Sequence, residues 1–154
     1  MAIRFSTGLR DKLLGSNSFK DIFQDGIIYI YSGVQPASAD DPVQGTLLGK
    51  VTQDAGDFTF GSATNGLEFG APSGGAIDKA SAENWKFLGE TDGTAGWFRL
   101  MGNDLDDLQS STTLPRMDGS IGTYGKDLEL STISITKGAP YTIDVFRIIL
   151  PATK

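Results

Sequence analysis

The clearest stretch of patterning is Ile27-Ile28-Tyr29-Ile30-Tyr31, where every position is β-branched or aromatic. A strand with no polar face has neither side freely exposed, so this segment is predicted to lie inside a sheet covered on both sides. Upstream, Leu9, Leu13, Phe19, Ile22 and Phe23 recur at three-to-four-residue spacing, which predicts an amphipathic helix. Gly15-Ser16-Asn17-Ser18 interrupts it, Ser18 followed by Asp21 resembles a capping box that restarts a short helix, and Gly26 ends it. Such a segment either covers one side of a sheet or docks on a partner.

Beyond Tyr31 the pattern fragments. Ser32-Gly33 ends the strand, and 34–43, with Pro36, Pro42 and the pair Asp40-Asp41, reads as an ordered excursion. Residues 46–52, 58–60 and 67–69 are short strand candidates between Gly- and Asp-containing turns, and 70–75 is a flexible link. Segments 85–88 and 97–101 read as a hairpin closed through 89–96, where Asp92-Gly93 tolerates positive φ. Alternation places Trp85 and Phe87 on one face, Phe98 and Leu100 on another, and Trp97 with Arg99 on the opposite side. Residues 103–116 are polar and acidic, a long loop of a kind that more often carries function than structure. From 128 to 150 the chain is rich in strand-forming residues. Leu128 and Leu130 differ in parity from Ile133 and Ile135, so a bulge or break is expected near Ser131-Thr132. Tyr141, Ile143 and Val145 alternate with polar residues, and both faces turn apolar by Leu150 apart from Arg147, which predicts a last strand that is central at its end. No fixed-period repeat points to a solenoid or propeller.

Composition narrows the fold class. With 154 residues, 39% hydrophobic content and 20 Gly, the chain suits one turn-rich β domain rather than a helical one. The expected fold is mainly β, a jelly-roll-like antiparallel β-sandwich (27–154) preceded by a short N-terminal amphipathic helical segment (1–26). Net charge of -6 opposes bulk attraction to nucleic acid or anionic lipid. No stretch approaches the roughly 18 apolar residues of a membrane span, and the start carries no apolar signal region. Neither nucleic acid nor a membrane is therefore expected as a partner.

Candidate chemistry is thin. The chain has no His and no Cys, so the usual acid/base switch, zinc ligands, thiol nucleophile and disulfide staple are absent. Asn103, Asp104, Asp106 and Asp107 could offer oxygens to Ca²⁺, but the EF-hand Gly and distal Glu are missing, and a solvated acidic loop explains them better. The Gly-rich 69–75 stretch lacks the Lys-Ser/Thr ending of a phosphate loop. Among 19 acidic residues some pair across a cleft arises by chance, so carboxylates alone do not argue for a glycosidase. The expectation is a protein that is not an enzyme, with no cofactor and no metal. Trp97, Tyr124 and Tyr141 are candidate exposed aromatics for sugar stacking or an interface. A sheet covered on both faces in so short a chain could borrow a second copy as one cover, which points to homo-oligomers.

Several strings carry a family resemblance. Ile3-Arg4-Phe5-Ser6-Thr7-Gly8-Leu9-Arg10, Ile30-Tyr31-Ser32-Gly33-Val34-Gln35-Pro36-Ala37-Ser38-Ala39-Asp40, Gly45-Thr46-Leu47-Leu48, Gly96-Trp97-Phe98-Arg99, Arg116-Met117-Asp118-Gly119-Ser120-Ile121-Gly122, Asp127-Leu128 and the closing 143–152 resemble a family of small tailed-bacteriophage virion proteins. The resemblance implies a virion structural protein made in the host cytoplasm, foremost a head decoration or cement protein on the major capsid protein, or else a neck, collar or tail-accessory protein binding another virion protein. It carries no catalytic or ligand residues. A cement gains strength by repeating modest contacts over a symmetric oligomer, possibly a trimer. The docking surface expected here is the 3–26 segment with the 36–42 loop, through Phe5, Leu9, Leu13, Phe19, Pro36 and Pro42, and removal of 2–16 is expected to abolish particle binding while leaving the β core folded. The reading from another class is a carbohydrate-binding β-sandwich with Trp97, Tyr124 and the acidic loop as its site.

Overall fold

A computed structural model describes residues 3–152. The predicted strand at 27–31 forms β2 (Ile27–Ser32), and it sits in the middle of the main sheet, between β3 (Leu47–Gln53) and β6 (Gly93–Met101). Outside β6 lie β7 (Arg116–Gly122) and then β1 (Arg4–Phe5); outside β3 lie β5 (Trp85–Leu88) and β10 (Pro140–Ile143). All of these pairings are antiparallel. The short β8 (Leu128–Glu129) adds to β7 in parallel, and β9 (Ser134–Ile135) adds to the start of β6. A separate two-stranded sheet pairs β4 (Ala76–Asp78) with β11 (Arg147–Ile149).

Strict alternation splits β2 and β6 between two apolar clusters. Ile28, Ile30, Phe98 and Leu100 point into the main core, where they meet Trp85 and Phe87 of β5, Ile77 of β4 and Phe146 and Ile148 near β11. Ile27, Tyr29, Tyr31, Trp97 and Met101 form a second cluster on the outer face, covered by Val43, Phe58, Phe60 and Leu108 from loops. The fold is thus mainly β, in antiparallel sheets with two short helices at the N-terminus, consistent with the expected β-sandwich; this strand order does not establish jelly-roll connectivity.

The helical segment forms as read, in two pieces. α1 (Thr7–Leu14) starts at Ser6, whose hydroxyl accepts the Leu9 amide, and α2 (Phe19–Ile22) starts at Ser18, whose hydroxyl accepts the Asp21 amide. Phe23 rather than Gly26 caps the second piece, and Gly26 already bridges to Leu67. α1 lies so close to the 113–114 backbone that a Cβ at Gly8 would come within 2.4 Å of Thr113 carbonyl atoms. The segment covers the core: Leu9 and Phe23 are fully buried in it.

Three expectations are corrected. The segments 85–88 and 97–101 do not form a hairpin, because β5 pairs with β3 and β10 while both edges of β6 are taken by β2 and β7. Residues 58–60 and 67–69 are not strands; Phe58 and Phe60 cover the outer cluster from a loop, and Leu67 and Phe69 make only isolated bridges. The break near Ser131-Thr132 is present between β8 and β9. The last strand, however, is not central. β11 closes a two-stranded sheet at its edge, and Val145, Ile149 and Leu150 are exposed. On the outer face the cover comes from the chain's own loops, through Val43, Phe58, Phe60 and Leu108.

Candidate functional site

The six residues expected to dock separate into three environments. Phe5, Leu13 and Phe19 come together around an apolar groove of about 300 Å³, with Ile77, Ile148 and Leu150 opposite. Each is half-buried, with its remaining surface facing outward. Leu9 does not join them: it points from α1 into the core and is fully buried. Pro36 is buried as well, and its carbonyl accepts a hydrogen bond from Arg4 Nη1 at 3.2 Å. Pro42 is exposed but lies outside the groove. The N-terminal segment and the 36–42 loop do meet elsewhere, where Arg4, Phe5 and Arg10 border a shallow depression with residues 37–39.

The expected aromatic platform is not there. Trp97 is fully buried, stacked on Tyr31 with ring centroids 4.7 Å apart, and its Nε1 donates to the Gln44 carbonyl at 3.2 Å. The reason is its place in β6, an outer-face position on a central strand that residues 33–46 cross. Tyr124 is 88% exposed. Tyr141 is half-buried against Phe87, and its hydroxyl accepts the Thr136 amide and donates to the Ser134 carbonyl. No two of the three make a common surface.

The acidic loop is solvated at Asp104 and Asp107, which are exposed, but not at Asp106. Asp106 turns inward and holds Arg116 in two hydrogen bonds of 2.7 Å each, with both side chains buried. Asp107 accepts the Gln109 amide, and the Asn103 side-chain amide donates to the Asp25 and Ser62 carbonyls. Among the described residues no group of three His, Cys, Asp or Glu side chains could hold a metal ion.

A second buried pair lies beside the first. Arg99 Nε and Nη2 donate to the two Asp118 oxygens at 2.7 and 2.8 Å, and both side chains have no exposed surface. Register explains the contact, since Arg99 faces Asp118 across β6 and β7, and Arg4 faces Asp118 from β1. Nη1 of Arg99 has no hydrogen-bond partner, and the guanidinium lies 5.6 Å from the Trp97 ring centroid. Burial pushes the Asp118 carboxyl above the usual aspartate value, and the neighbouring guanidinium of Arg99 opposes that rise. Both arginines also bind loop backbone: Arg99 donates to the Asp41 carbonyl at 3.1 Å, and Arg116 to the Gln109 carbonyl at 2.7 Å. The pairs therefore pin the 33–46 and 102–115 loops onto the outer face, and their charges are committed to that contact.

Sequence reasoning placed Arg99 beside Trp97 by parity, but read Asp106 as a solvated acid and gave Arg116 and Asp118 no role in a site. The available signal was weak. In β7 the string Arg-Met-Asp-Gly-Ser has no β-branched or aromatic residue, yet all seven residues are buried.

Comparison with known families, with curated proteins and with solved structures finds no match to this chain. No helix among the described residues is long and apolar enough to cross a membrane.

Proposed function

We propose that this is a bacteriophage virion structural protein, a head decoration (cement) protein that binds the major capsid protein and stabilises the shell. The observation that carries the reading is the groove between the N-terminal segment and β11. It gathers Phe5, Leu13 and Phe19 beside Ile148 and Leu150, the last of which is 62% exposed. Apolar surface gathered on one side of a domain favours a covering partner. β11 pairs on one side only, so the same region also offers backbone groups to a partner strand. Burial of Arg99, Asp118, Arg116 and Asp106 in ion pairs supports a scaffold that holds a surface rather than one that performs chemistry. Repeated over a symmetric oligomer, a modest groove contact holds by multivalency.

The test replaces exposed groove residues one at a time. Pro72→Asp and Leu150→Asp are expected to fold normally and to lower the copy number on purified particles by about tenfold, the equivalent of losing one buried aliphatic contact, as read by quantitative mass spectrometry. Tyr124→Ala, away from the groove, should leave the copy number unchanged. Full occupancy by both Asp variants would overturn the groove as the docking surface.

A further inference from the structure

We propose that the cleft between the outer face of β2 and β3 and the 55–60 loop binds a neutral glycan, a site separate from the docking groove. The cleft has a volume of about 790 Å³, within the roughly 300–1,000 Å³ usual for small-molecule sites. Its apolar surface comes from Tyr29 on β2 and from Phe58 and Phe60, whose rings meet edge to face at 5.2 Å. Its polar surface comes from Lys50, Asp57 and Glu90, all exposed.

The loop is placed there by the backbone. After β3 the chain reverses through Asp54 and Ala55, both in the left-handed region at φ 55° and 57°, closed by the Gly56 amide on the Gln53 carbonyl. Ala has no side-chain group to reward that conformation, so the turn costs free energy that the surrounding contacts must offset. The Thr52 hydroxyl donates to the Gly56 carbonyl at 2.7 Å and the Asn65 side-chain amide donates to the Asp57 carbonyl at 2.8 Å, fixing both ends of the reversal. The result brings two half-exposed Phe rings to the wall of a polar cleft, rather than folding them fully into the core.

The charges define the ligand. The ion pairs among the described residues are Arg99 with Asp118, Arg116 with Asp106 and Arg147 with Asp78. Lys50, Asp57 and Glu90 belong to none of them, and the Lys50 ammonium rests 5.3 Å from the Tyr29 ring centroid. Two carboxylates and one ammonium at one cleft repel a phosphate, sulfate or carboxylate ligand on balance. They suit a neutral polyol, whose hydroxyls donate to carboxylates and accept from an ammonium in charge-assisted hydrogen bonds. The C–H face of a pyranose then packs on the aromatic rings, which are rigid and lose little entropy on binding. A purely apolar ligand would leave all three charged groups desolvated without partners.

The experiment is an array of neutral oligosaccharides (glucans, galactans and N-acetylglucosamine oligomers) screened with the full chain, followed by an amide chemical-shift titration with the strongest binder. Shifts should concentrate at Tyr29, Lys50, Phe58, Phe60 and Glu90. Asp57→Asn and Glu90→Gln, both at exposed positions, should melt like the parent and weaken binding by about tenfold each. Four results would each overturn the site: no neutral glycan bound at millimolar concentration, shifts mapping elsewhere, affinity unchanged in both variants, or binding of inorganic phosphate or sulfated glycans in preference to neutral ones.

Discussion

Arg99 and Arg116 carry full charges into a face of the sheet from which water is excluded, and each is matched by a carboxylate with two short hydrogen bonds. Desolvating such a pair cancels much of its attraction, whereas removing one partner strands a buried charge. Asp118→Leu alone should therefore destabilise the fold by about 3–5 kcal/mol. The double variant Arg99→Met with Asp118→Leu should cost far less than the two single changes added together. Urea unfolding of the four proteins in the cycle measures this, and strict additivity would contradict the pairing. The same residues show where reading a sequence by residue type runs out. Parity correctly placed Trp97 and Arg99 on the face opposite Phe98 and Leu100, but exposure was then inferred for Trp97, because nothing in its neighbours announces that residues 33–46 cross over it. Asp106 was read as one of several solvated acids for the matching reason, that its partner lies on a strand ten residues away.

At the scale of elements, legibility followed side-chain chemistry. β2 was plain because every residue in 27–31 favours an extended, covered strand. The two helical pieces were plain because Ser18 and the apolar spacing agree. β7 was invisible, since its burial is that of a polar strand satisfied by Arg116 and Asp118. The false hairpin arose because β5 and β6 are neighbours in sequence, while Trp85 and Phe87 meet the core from a position beyond β3. Of the groove, Phe5, Leu13 and Phe19 lie on the N-terminal segment that the apolar spacing singles out, while Ile148 and Leu150 opposite them read as part of a central last strand. The N-terminal segment is also tied in more firmly than a docking arm. Ser6 donates to the Leu114 carbonyl and accepts the Arg116 amide, Thr7 donates twice to Asp40, and Leu9 is fully buried. Deleting 2–16 should therefore lower stability by at least about 3 kcal/mol, the sum of one buried Leu and several buried hydrogen bonds. Thermal unfolding of the truncated chain decides this, and an unchanged melting temperature would show the segment to be separable after all.

For the whole molecule, the two proposed surfaces differ in chemistry. The groove beside β11 is apolar and small, about 300 Å³, while the cleft beside β3 is mixed in lining and larger, about 790 Å³. Between them lies a sheet held rigid by two buried ion pairs, a scaffold that keeps both surfaces in place. With a net charge of -6, the molecule as a whole is repelled by polyanions, so any assembly it joins depends on local contacts rather than bulk attraction. The central claim is that those contacts are with a viral shell, and it is tested most directly by cryo-electron microscopy of purified particles from the protein's source. The account predicts density for this fold at lattice junctions of the head, in many copies, with the Phe5, Leu13 and Leu150 groove against the major capsid protein. A ring of a few copies at the neck or tail would contradict the decoration role, and particles lacking the protein altogether would contradict the virion assignment itself.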